Sequence, residues 1–192
     1  LIIFELIVAR PWEAIAVSLG VVYVILAARE NIWCWPAALI STAIFSWLFW
    51  DVSLLMDSAL NVYYLGMAVY GWWTWSNTDK HQAKQIHCWS TKKHLLCIGL
   101  ILLLALISGV LLSRYTSAAL PFLDSITTWA AVITTYMVTQ KILENWLYWI
   151  VIDAISIYLY IDRELYLTAL LFVVYIVIAA YGWFRWKKLL NG

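Results

Sequence analysis

The feature that most constrains this chain is a succession of seven apolar stretches, each long enough to cross a hydrocarbon core of about 30 Å as a helix, joined mostly by short polar breaks. Such spacing leaves no residues for a separate soluble domain. Only 12% of the 192 residues are charged, against about a quarter in a soluble domain, and the mean hydropathy is +0.85. The chain is therefore expected to be an all-α integral membrane protein whose first partner is the lipid bilayer. Its basic residues sit at the ends of the apolar stretches and form no stripe that nucleic acid would bind.

The spans are expected at 12–28, 33–50, 54–75, 95–112, 124–142, 145–161 and 165–186. Pro11 and Pro36 fit opening turns, where a missing N–H costs little. Residues 1–10 are apolar but too short to span, carry Glu5 and lack a cleavable-leader pattern, so they read as an interfacial lead-in. The only long polar connector is 76–94, and the fourth span that follows it is uniformly aliphatic, as expected of a lipid-facing helix. Cys34, Cys88 and Cys97 have no metal or disulfide spacing and read as packing residues. In this layout Arg10, Arg114 and Arg163 lie on the amino-terminal side. Arg29, Lys80, Lys84, Lys92, Lys93, Lys141, Arg185, Lys187 and Lys188 lie on the other. That asymmetry places the amino terminus outside and the carboxyl terminus in the cytoplasm.

An internal repeat gives the helix count a reason. Tyr70-Gly71-Trp72-Trp73-Thr74-Trp75 parallels Tyr181-Gly182-Trp183-Phe184-Arg185-Trp186 at an offset of 111, which also pairs Asp51 with Asp162 and Tyr64 with Tyr175. Upstream, Glu30-Asn31 and Trp35 match Glu144-Asn145 and Trp149 at an offset of 114, so a three-residue difference is expected between the copies. Two three-helix units fused directly would be inverted, and the fourth helix restores a parallel orientation. The expected organisation is one transmembrane domain over 1–192: a first repeat at 11–75, a cytoplasmic loop at 76–94, a linker helix at 95–112 and a second repeat at 121–187. Parallel repeats of this kind place a substrate site at their interface near mid-membrane.

An aspartate within a span costs about 2.5–3.5 kcal/mol on insertion scales and normally faces a cavity or a partner. Asp153 falls near the middle of the sixth span, and Asn145, Trp149, Asp153 and Ser156 share one helix face. A substrate-facing stripe is one reading, and a polar contact between neighbouring helices is the other. The third span offers Asp57, Asn61 and Tyr64 on a matching face, with Asp57 nearer the external end. The fifth has Thr134 at mid-depth and Gln140 near the cytoplasmic end. Of the many aromatic residues, Trp47, Trp72, Trp149 and Trp183 are placed to face an interior, where indole faces attract cations and stack on flat rings. Trp73, Trp75 and Trp186 read as interfacial belt residues, and Gly71 and Gly182 as sites of close helix packing.

Three absences narrow the function. The sequence has no phosphate-binding loop, so the chain is not expected to hydrolyse nucleotide, and no mid-span lysine for a retinal-type Schiff base. His81, His87 and His94 lie in or beside the polar connector without metal-site spacing and read as solvated. No cofactor and no metal are expected. A transporter of a small-molecule substrate fits best. An intramembrane enzyme pairing Asp153 with Asp57, or a seven-helix sensor, are the alternatives.

The run Glu144-Asn145-Trp146, Trp149-Ile150, Asp153, Ile157 and Leu159-Tyr160, together with the two YGWxxW helix ends, resembles the PnuC family of bacterial vitamin transporters over essentially the whole chain. The resemblance implies a three-plus-one-plus-three bundle related to the SWEET proteins. It also implies facilitated diffusion of nicotinamide riboside across the inner membrane, with phosphorylation in the cytoplasm trapping the product. Relatives that handle riboflavin or thiamine keep the vitamin open. Asn145, Trp149 and Asp153, with the aromatic end at Trp72 and Trp75, are the positions the resemblance carries over. Asn61, Tyr64 and Gln140 are added from depth and polarity, and Trp47 and Trp183 from their placement. Ion coupling and homo-oligomer formation are not decided by the sequence.

Overall fold

The structure, a computed structural model, describes residues 11–51, 55–76, 85–116, 120–162 and 164–191. The lead-in at 1–10, Lys80, His81, Lys84 and Arg163 lie outside these residues, as does the side chain of Asp57. Among the described residues there are seven helices: α1 Pro11–Ala28, α2 Cys34–Asp51, α3 Leu55–Ser76, α4 Thr91–Tyr115, α5 Pro121–Thr139, α6 Asn145–Asp162 and α7 Tyr166–Asn191. They fall into two compact units, within Leu1–Lys84 and within Gln85–Gly192.

In the first unit α2 packs against both α1 and α3, and in the second α6 packs against both α5 and α7. The first unit's core is built on small residues, among them Ala16, Ala27, Ala28, Ala37, Ala38 and Ala68, which let helix backbones approach closely. Ser41 Oγ donates to the Ala16 carbonyl at 2.7 Å across the α1–α2 contact. Helix α4 belongs to the second unit. It buries Ile101, Ala105 and Gly109 on one face against α5, where Trp129 Nε1 donates to Ser108 Oγ at 3.1 Å. Most of its remaining leucines and isoleucines are exposed, as a lipid-facing helix requires. By length and apolarity alone, α1, α4 and most of α7 qualify as membrane spans. Helices α5 and α6 are less apolar because they carry more polar residues, of which Thr134, Thr135, Thr139, Asn145 and Asp153 are buried.

The repeat holds at a single offset of 111, and the expected three-residue difference is absent. Helix α1 ends where Glu30 takes φ 58°, with Glu30 N–H donating to Ala27 O and Asn31 N–H to Leu26 O. Helix α5 ends identically 111 residues on: Lys141 takes φ 54°, its N–H donates to Val138 O, and Ile142 N–H donates to Met137 O. This paired bonding is a Schellman cap, here closed by residues other than glycine. It stops α5 at Thr139, short of the expected 142, while Pro121 lets the helix start earlier than 124. The equivalents of Cys34 and Trp35 are therefore Asn145 and Trp146, and the Glu-Asn match at 114 was a coincidence of composition.

Packing repeats at the same offset. The Trp35 ring meets Trp75 edge-on at 5.2 Å between centroids and 88°, and Trp146 meets Trp186 at 5.4 Å and 89°. Each outer indole lies over a glycine: a Cβ on Gly71 would run into Trp35, and one on Gly182 would come within 2.7 Å of Trp146. Trp75 and Trp186 are accordingly buried rather than part of an interfacial belt. A neighbouring helix that supplies an indole across a glycine gap turns an amphipathic side chain into a core residue.

Candidate functional site

Helix α6 turns its Asn145–Asp153–Ser156 face inward. Asn145 is fully buried and Asp153 is 4% exposed, with Ser156 buried one turn further. Trp149, half-buried on the same face, packs against a cluster of Ile101, Ala130 and Ile152, so it holds the unit together as well as presenting an indole. Asp153 is the ninth of the 18 residues of α6, hence mid-helix. Among the described residues it has no hydrogen bond and no cationic partner, and Tyr175 on α7 lies within electrostatic reach of its carboxylate.

Several further polar atoms of this unit are buried without hydrogen-bond partners. Asn145 Nδ2 donates to the Ile142 carbonyl at 2.6 Å, which orients the amide and leaves Oδ1 unpaired. Thr134, fully buried five residues before the end of α5, leaves its Oγ1 unpaired, as does Ser125 its Oγ near the start of that helix. Buried polar atoms normally find partners, because an unpaired one costs about 1–3 kcal/mol. Asn145 Oδ1, Thr134 Oγ1 and the Asp153 carboxylate are all acceptors. A ligand rich in donors and carrying positive charge is the complement of that set.

The other expected residues are distributed more widely. In the first unit Asn61 and Tyr64 are half-buried on the face of α3 that continues through Ala68, Gly71 and Trp75. Tyr64 contacts the Tyr63 ring and lies within electrostatic reach of Tyr23 on α1. Trp47 is 56% exposed, on the surface of its unit rather than in its core. Trp72 is also exposed and meets Trp33 edge-on at 5.9 Å. Gln140 is the residue after α5 and donates its backbone N–H to Tyr136 O, a capping role. Trp183 is half-buried with Lys187 Nζ 5.8 Å from its ring centroid, a cation–π contact within α7.

Sequence reasoning missed one cluster. The described end of the polar connector is docked through its backbone: Ile86 is buried, and His87, its side chain exposed as expected, pairs with the α5–α6 turn through His87 N–H to Lys141 O at 3.1 Å and Leu143 N–H to His87 O at 2.9 Å. Trp89 N–H donates to Glu144 Oε2 at 3.3 Å. His94, in the first turn of α4, places Nδ1 3.0 Å from the Tyr148 hydroxyl and Nε2 3.7 Å from Glu144 Oε1. Partial burial, and the Glu144 carboxylate that accepts its S–H, push the Cys88 thiol above its ordinary value. The usable signal was Glu144 at the head of an apolar helix, with a connector of three histidines and a tryptophan elsewhere in the chain.

The profile of the nicotinamide mononucleotide transporter family matches residues 10–188. The chain belongs to that family. The nicotinamide riboside transporters PnuC of Escherichia coli (strain K12) and Shigella flexneri are each 24% identical to it over 200 residues, covering 91% of this chain and 84% of theirs. The riboflavin/roseoflavin transporter RibM of Streptomyces davaonensis is 20% identical over 174 residues, covering 88% and 80%. Among solved structures, the crystal structure of the vitamin B3 transporter PnuC matches with a TM-score of 0.77 at 19% identity, over 99% of this chain and 86% of that one. The all-helical fold is thus a transporter fold. Family and fold are those of membrane transporters and not of enzymes, which removes the intramembrane hydrolase as an alternative.

Proposed function

We propose that this protein carries nicotinamide riboside across the bacterial inner membrane by facilitated diffusion with alternating access, and that a cytoplasmic kinase then traps the cargo by phosphorylation. The observation that carries the reading is the set of buried acceptors in the second unit: Asp153, Asn145 Oδ1 and Thr134 Oγ1. Nicotinamide riboside brings a permanent pyridinium charge, a carboxamide NH2 and ribose hydroxyls, which are the donors and the cation those atoms lack. Trp149 offers its indole face to the ring.

The same set argues against the mononucleotide as cargo. A phosphate dianion in the membrane interior needs arginine or lysine, and among the described residues none lies near the middle of a helix, Arg185, six residues from the end of α7, being the furthest in. Riboflavin, suggested by the likeness to RibM, is neutral and leaves Asp153 without a counter-charge. Thiamine supplies a cation but no ribose. The lysine and arginine asymmetry supports an amino terminus outside and a carboxyl terminus in the cytoplasm, and the common offset of 111 supports a single transmembrane domain of two three-helix repeats joined by α4. Calorimetry of the purified protein against nicotinamide riboside, nicotinamide mononucleotide, riboflavin and thiamine tests the assignment. The riboside is expected to bind tightest by at least about tenfold, or about 1.4 kcal/mol. Tighter binding of any other member of the panel would replace it as the cargo.

A further inference from the structure

We propose that the basic end of the second unit binds the headgroup of an anionic phospholipid, with Arg185 and Lys188 of α7 as its phosphate ligands. Along α7 the exposed residues Leu170, Val174, Val177, Tyr181, Arg185 and Lys188 recur at intervals of three and four and so share one outward face. That face changes chemistry along the helix. It is aliphatic through Val177, aromatic at Tyr181 with exposed Phe184 beside it, and cationic at Arg185 and Lys188. At a rise of 1.5 Å per residue Lys188 stands about 16 Å along the axis from Val177, close to half of a hydrocarbon core of about 30 Å. With the valines among the acyl chains, the phenol falls at the interface and the cations at the level of the lipid phosphates.

These cations have no carboxylate to meet them. Arg185 Nη1 donates to the Tyr181 hydroxyl at 3.3 Å, which holds the guanidinium beside the phenol and leaves its charge in place. Neither Arg185 nor Lys188 has an ion pair among the described residues, and Lys187 lies over the Trp183 ring instead. Glu144, the described carboxylate at that end of the unit, is engaged with the Trp89 N–H and with His94. The acidic residues Asp124, Asp162 and Glu164 stand at the opposite end.

Helix α4 repeats the pattern on the other flank of α6. Trp146 of α6 packs on Trp186 of α7, and Tyr148 of α6 meets His94 of α4. Exposed Lys92 and Lys93 immediately precede that histidine, and Leu96, Leu100, Leu103 and Ile107 continue one exposed face from Lys92. A phosphodiester complements this rim: it lies at that depth, is anionic, and offers two oxygens to a guanidinium fork. Phosphatidylcholine carries its own ammonium and satisfies the rim less well. Each basic residue close to an anionic membrane surface raises affinity roughly fivefold.

Native mass spectrometry of the whole protein, titrated in detergent with phosphatidylglycerol or with phosphatidylcholine, measures the preference. Wild-type protein is expected to favour phosphatidylglycerol by about tenfold or more. The double variant Arg185→Gln, Lys188→Gln should lose most of that preference, and Arg185→Lys with Lys188→Arg should keep it. Arg114→Gln, at the opposite end of α4, should leave it unchanged. Melting temperatures in phosphatidylcholine micelles confirm that each variant is folded. An undiminished preference in the double glutamine variant would overturn the site, and so would equal affinity of the wild type for the two lipids. Displacement of phosphatidylglycerol by an equal concentration of inorganic phosphate would replace the lipid with a soluble anion as the occupant.

Discussion

Asp153 concentrates the tension between stability and function at the scale of single residues. A buried acceptor with no protein partner destabilises the fold, so its amide isostere is expected to leave the empty protein as stable or more so. Cargo binding moves the other way. Asp153→Asn removes the counter-charge for the pyridinium and should weaken riboside binding about 10- to 100-fold, the worth of a charge-assisted contact. The check is a melting temperature in detergent alongside calorimetry: a folded variant with unchanged affinity would move the site off α6. Trp149 is a less clean probe, because its contacts with Ile101, Ala130 and Ile152 mean that truncation to alanine also opens the core, and Trp149→Phe is the better substitution. Cys88 reports on the connector cluster. With its thiol held above the ordinary value by burial and by Glu144, the thiolate fraction at neutral pH is lower than in a free cysteine. Alkylation in a Cys34→Ala, Cys97→Ala background should therefore be slow and should accelerate in Glu144→Gln. Equal rates in the two proteins would show that Glu144 does not act on Cys88.

At the scale of elements, the edge-on tryptophan pairs make a quantitative prediction. Gly71→Leu and Gly182→Leu drive a side chain into Trp35 and Trp146 and should each cost about 1–3 kcal/mol, read as a lowered melting temperature. Gly66 and Gly99 have open space at the Cβ position, so Gly66→Ala and Gly99→Ala should leave stability unchanged or raise it by about 0.5–1 kcal/mol through helix propensity. Equal losses at all four sites would show that the clamps do no special packing. These elements also show what the sequence could and could not disclose. The spans were legible because hydrocarbon thickness dictates their length, and the YGWxxW ends were legible because a glycine beneath an indole tolerates little substitution. The inward turn of the Asn145–Asp153–Ser156 face followed from helical spacing. The α1–α2 and α5–α6 joins were not legible, because Glu30 and Lys141 take the left-handed conformation without the glycine that usually marks it. Trp75 and Trp186 looked like belt residues because a helix end is visible in sequence and the neighbouring helix that covers it is not. The His94–Glu144–Tyr148 contacts join residues about 50 positions apart, and nothing local announces such a pairing.

For the whole molecule, orientation and transport are the two properties to be tested. Cys88 should react with a membrane-impermeant thiol reagent only from the cytoplasmic face, as the lysine and arginine distribution requires. Labelling from outside intact cells would invert the topology. The central claim is carriage of nicotinamide riboside, and uptake of the radiolabelled compound into liposomes containing the purified, folded protein measures it directly. The account predicts saturable uptake above empty vesicles with neither ATP nor an imposed ion gradient, abolished or sharply reduced by Asp153→Asn. Uptake no greater than in empty vesicles would contradict it.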